Sequence, residues 1–151
     1  MDARGYGRDE LCHLLLTGAD TVGSAGVHAA VHLLTFTALP GRGDFAGHVE
    51  IRVGTHLSGR TELGAFVRDW ERLARHENLD VLTGQDERLV ALAAGWAAGV
   101  PVRLERDAAG LSSASLRRVL EAVLLASNGE PYFMVVRTSY QALLPGGGRS
   151  G

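Results

Sequence analysis

The stretch VHAAVHLL, residues 27–34, sets His28 and His32 four positions apart beside an apolar run. On a helix that spacing brings the two Cβ atoms to about 5–6 Å, close enough for both imidazoles to reach one metal ion. On a strand the same residues stand about 13 Å apart, beyond any ion whose bonds are near 2 Å. His28 and His32 are therefore a metal pair only in a helix. Metalloprotease chemistry also needs a glutamate directly after the first histidine to activate water, and Ala29 stands there. The competing reading puts both imidazoles at a polar edge or an interface.

Other chemistries are weaker or excluded. All fifteen basic residues are arginines, which removes a P-loop lysine, a Schiff-base lysine and a lysine general base. Cys12 is the one cysteine, so an intrachain disulfide and a multi-cysteine metal centre are both excluded. Its neighbour His13 does not activate it, because adjacent helix residues diverge by about 100°. GRGDFA, residues 41–46, formally fits a dinucleotide-binding pattern, but an alternating strand follows it instead of the helix that would receive the pyrophosphate. It reads as an ordinary turn. No serine sits in a nucleophile elbow, and no cofactor is expected.

A further candidate lies in VRLERDAAGLSSASLRRVLEAV, residues 102–123. Gly110, Leu111, Leu116 and Val119 fall where a helix-turn-helix carries its turn glycine and apolar positions. The stretch resembles the helix-turn-helix of bacterial DNA-binding domains, with PYFMVVRT, residues 131–138, standing where a wing strand would lie. The resemblance implies that Ser112, Ser113, Ser115 and Arg117 face the major groove. It also implies that Arg103, Arg106 or Arg118 meets phosphates.

The elements that must position these residues follow from pattern. DELCHLLLT, residues 9–17, predicts a short helix stopped by Gly18. Ser24 caps a predicted helix over 24–38 that presents Val27, Val31, Leu34 and Ala38, with a strand as the competing reading. Residues 48–54 alternate and form the clearest strand. Leu63, Phe66, Val67, Trp70 and Leu73 stand at helical spacing, although Leu63, Ala65 and Val67 also suit a short hairpin strand, and a helix is favoured at least from Asp69 to His76. Helices are predicted over 85–98 and, capped by Ser113, over 113–127, the latter with a face of Leu116, Val119, Leu120 and Val123. Residues 131–138 predict an interior strand pairing with 48–54.

A hydrophobic share of 46 %, a charged share of 21 % and a net charge of −2 fit an ordinary globular domain and give no general nucleic-acid field. The expected fold class is α+β: four or five helices on a small, mostly antiparallel sheet, in one domain over 1–144 with a disordered tail at 145–151. No apolar run is long enough to span a bilayer, and the first ten residues lack the core of a signal peptide, so a cytoplasmic setting is expected. The expected function is a non-enzymatic interaction or regulatory domain working through a protein partner or self-association as a homodimer, with DNA as the alternative partner.

Overall fold

The computed structural model describes residues 2–128. Asp9 and Glu10 in the first turn favour α1 (Arg8–Val22), and Gly23 ends it in the left-handed conformation at φ 70°. The helix runs through Gly18, which is no stop. A Cβ at Gly18 would lie 2.2 Å from the Ala65 carbonyl oxygen, and one at Gly64 would lie 2.8 Å from the Gly18 Cα. Glycine is there because helix backbone and strand backbone touch.

Ser24 caps α2 (Ala25–Leu34), its Oγ accepting from Val27 N. The helix ends four residues before Ala38, because Thr35 and Thr37 turn their hydroxyls back on carbonyls of the last turn. Short-range bonds from Phe36 N to Leu33 O and from Thr37 N to Leu34 O complete that tightening. Ala29, Ala30, Leu33 and Leu34 are fully buried. Thus α2 is the central helix, packed against α1, α4 and α6.

The alternating residues form β1 (Val49–Thr55), which pairs antiparallel with β2 (Thr61–Val67), Val49 opposite Val67 and Thr55 opposite Thr61. Of the two readings of residues 63–67, the hairpin strand is realised. Asp69 then accepts from Glu71 N and Arg72 N and starts α3 (Trp70–Ala74), which stops short of His76 because that residue turns left-handed at φ 53°. GRGDFA is not the plain turn expected: Gly43–His48 wind into a 3-10 helix, whose entry is clamped by a two-bond Arg42–Asp44 pair at 3.1 and 2.6 Å. Asp44 also accepts from Asp80 N, and Arg42 donates to Asp80 O, so the clamp fastens the loop before the next helix.

The remaining helices are α4 (Gly84–Ala97), the four-residue α5 (Leu104–Asp107) and α6 (Ser113–Asn128). The cap of α6 is Ser112 rather than Ser113: Ser112 Oγ accepts from Ser115 N, and Ser112 O from Leu116 N. Helices on a small antiparallel hairpin make this an α+β fold, and no helix among the described residues is long and apolar enough to cross a membrane. The strand expected over 131–138 and the tail at 145–151 lie outside the described residues.

Candidate functional site

A helix end leaves carbonyl oxygens without intrahelical partners. At the end of α2 two arginines supply them. Arg8 Nη2, from α1, donates to Thr35 O and Thr37 O, both at 3.0 Å. From α6, Arg118 Nε donates to His32 O at 2.8 Å and Nη2 to Thr35 Oγ1 at 3.2 Å. The Arg118 guanidinium also lies 5.7 Å from the centroid of the Phe36 ring. Two cations thus sit against the negative end of the central helix, which their charge stabilises.

His28 and His32 do share a helix, yet each turns to its own carboxylate. His28 Nε2 is 3.5 Å from Asp20 Oδ1 on α1, and His32 Nε2 is 3.4 Å from Glu121 Oε1 on α6. No group of three metal-binding side chains of the His, Cys, Asp or Glu kind converges among the described residues. Half-buried Cys12 lies on the α1 side of the junction, and burial pushes its thiol up against the opposing pull of Arg8 and Arg118.

Burial, reinforced by the Arg118 charge, holds the His32 imidazole below the usual histidine range, while Glu121 pulls the other way. The unfolded chain therefore takes up this proton first as pH falls. Stability contributed at His32 is complete above its ordinary pKa of about 6.5 and is lost as pH drops through that value toward the depressed one. His32→Gln is expected to flatten the decline between neutral pH and the onset of carboxylate titration. Urea midpoints of the two proteins across that range check it, and parallel curves would remove His32 as the cause.

Of the residues assigned to DNA, Ser112 is the α6 cap, held at its own N–H by Gln85 Oε1 at 2.8 Å. Ser115 is buried and bonded to Ser112, and Arg118 is turned inward onto α2. Ser113 and Arg117 are exposed, as is Arg103, which precedes α5 and lies 3.5 Å from Glu105. Ser115 and Arg118 thus turn inward, while Arg103, Ser112, Ser113 and Arg117 are exposed. The preceding helix is a single turn, with Glu105 and the Arg106 partner of Asp107 on its exposed side.

What the apolar face predicted for α6 conceals is that it is double. Ser115, Val119, Ala122 and Leu125 are buried and close the contact with α2. About a quarter-turn round the helix, Leu116, Leu120 and Val123 form a second strip, of which Leu116 and Leu120 are each 37 % exposed. Beside it lies a groove of about 320 Å³ lined by Trp96, Val102, Leu104, Val123, Ala126 and Ser127. Two interleaved series at spacings of three and four were present in the sequence as the signal of two faces. Glu121 and Arg8 had no such signal, since each acts on a partner distant in the chain.

Comparison with known proteins returned no match: no family model, no curated protein and no solved structure corresponds to this chain.

Proposed function

We propose that this chain works by protein–protein contact rather than by chemistry, through the second apolar strip of α6 and the groove beside it, and that it pairs with a second copy of itself. The observation that carries this reading is the strip. With the core face already closed by Val119 and Ala122, the leucines at 116 and 120 stay more than a third exposed, leaving apolar surface that a partner would cover. Leu104 extends the apolar surface from α5 at 37 % exposure, and Trp96 and Val102 line the adjoining groove.

The rim favours a copy of the same chain. Arg117 on α6 and the Arg103–Glu105 pair beside Leu104 place exposed charges of both signs next to the strip. A two-fold contact brings each surface against itself, so a mixed rim can match its own charges where a single-sign rim would repel. The chain's net charge of −2 adds little opposition.

Sedimentation velocity over a concentration series tests this. The wild-type chain is expected to associate reversibly, and the double substitution Leu116→Glu/Leu120→Glu to weaken association at least about 10-fold while its melting temperature holds. A wild-type chain that stays monomeric throughout, or a variant that associates equally well, overturns the proposal. In the same experiment a duplex that co-sediments at low salt and is released steeply as salt rises would favour the DNA reading instead.

A further inference from the structure

A second cleft, of about 370 Å³, opens between α4 and the segment entering α5. Its floor is apolar: Ala91, Leu92 and Gly95 come from α4, and Val100, Pro101 and Val102 from the following segment. Its charged wall is Arg88, Arg106 and Asp107. The volume falls at the lower end of the range for small-molecule sites, about 300–1,000 Å³.

The charges on that wall do not cancel. Asp107 is engaged on both oxygens: Arg106 Nε donates to Oδ1 at 2.8 Å, Arg106 Nη2 to Oδ2 at 3.3 Å, and Arg103 N to Oδ2 at 2.9 Å. Among the described residues, Arg88 makes side-chain hydrogen bonds only to backbone carbonyls, to Asp107 O at 2.8 Å and to Ala109 O. Among the described residues no carboxylate lies within ion-pair range of Arg88. A guanidinium carries five N–H donors, so two carbonyls leave it with donors and a full positive charge to offer. One wall therefore presents an uncompensated cation, and the floor presents hydrocarbon.

We propose that this cleft binds a small organic anion with an apolar body, a monocarboxylate of medium chain length, its carboxylate against Arg88 and its hydrocarbon on the Leu92–Val102 floor. Both halves of the ligand are needed: the carboxylate answers the unneutralised charge, and the chain covers apolar surface at Val100, which is 56 % exposed. The cleft shares Val102 with the groove beside the α6 strip, whereas Arg88 and Ala91, on which the test turns, are not among that groove's lining residues.

Calorimetric titration of the full chain with octanoate, 1-octanol, octylamine and acetate tests the assignment. Octanoate is expected to bind at least about 10-fold more tightly than the alcohol or the amine, and acetate not to bind measurably. Ala91→Phe adds a ring at an exposed helix position that lines the cleft, and is expected to abolish octanoate binding while the melting temperature is kept. Arg88→Gln removes the charge and is expected to erase the preference for octanoate over octanol. Should that variant fail to fold, the Ala91→Phe titration still decides the matter. Equal binding of all three eight-carbon probes, octanoate binding that survives Ala91→Phe, or no octanoate binding at millimolar concentration overturns the proposal.

Discussion

Gly18→Ala is expected to destabilise the protein by about 3 kcal/mol, equivalent to roughly 10 °C in melting temperature for a chain of this size. At an open position inside a helix the same change stabilises by about 0.5–1 kcal/mol, because alanine restricts the unfolded chain. Here the added methyl would lie 2.2 Å from the Ala65 carbonyl oxygen and 3.1 Å from its carbon. Both are backbone atoms in a strand held in register by β1, so no side chain can swing aside. Either α1 retreats and opens the contact with β2, or the hairpin bends. Gly95→Ala supplies the contrast, since its Cβ meets only the Val100 Cβ at 3.7 Å within α4 and should raise stability by about 0.5–1 kcal/mol. Urea unfolding of both variants checks the pair. A neutral or stabilising Gly18→Ala would mean that the helix and strand are not in backbone contact.

Arg118→Ala is expected to cost about 3 kcal/mol. Two charge-assisted hydrogen bonds at 2.8 and 3.2 Å disappear, each worth about 1.5–3 kcal/mol, and the carbonyl of His32 loses a cation at the end of the central helix. Arg118→Lys restores the charge without the fork that reaches His32 O and Thr35 Oγ1 together, so it should recover only part of the loss. A phosphate-contacting arginine behaves oppositely, since its removal leaves stability within about 0.5 kcal/mol and weakens duplex binding instead. Unfolding midpoints and duplex titrations of the same variant separate these two roles of Arg118.

What could be read directly from the chain was whatever depends on neighbours in sequence. The alternation of Val49, Ile51 and Val53 marked β1, and Ser24 and the first-turn acids of α4 marked helix starts that formed within a residue or so of expectation. Where local chemistry was degenerate, the expectation slipped. Two adjacent serines both suit a cap, and the contact from Gln85 on α4 helps hold Ser112 in that position. Thr35 and Thr37 ended α2 by side-chain bonds that compete with the helix, which an apolar period does not register.

The larger misreadings came from contacts between distant segments. A glycine that ends a helix and a glycine that lets a strand approach look alike in sequence, and only Ala65 on β2 distinguishes Gly18 as the second kind. Histidines at helical spacing left a shared ion and a polar edge as competing readings, and Asp20 and Glu121 draw the two rings to opposite neighbours. Arg118, assigned to phosphate through the resemblance, turns to the α2 carbonyls because the α2–α6 contact places it there. Leu116 and Leu120 were counted with Val119 as one face, and the tight closure of Val119 against α2 left them outside.

The proposed role of the chain rests on what covers Leu104, Leu116 and Leu120 in solution. Hydrogen–deuterium exchange at two protein concentrations, one well below and one well above the association midpoint, tests that most directly. Amides of 104–123 are expected to exchange more slowly at the higher concentration, while those of the hairpin at 49–67 remain unchanged. Exchange across 104–123 that is independent of concentration, or protection that rises instead along the hairpin, would contradict the assignment of this face to self-association.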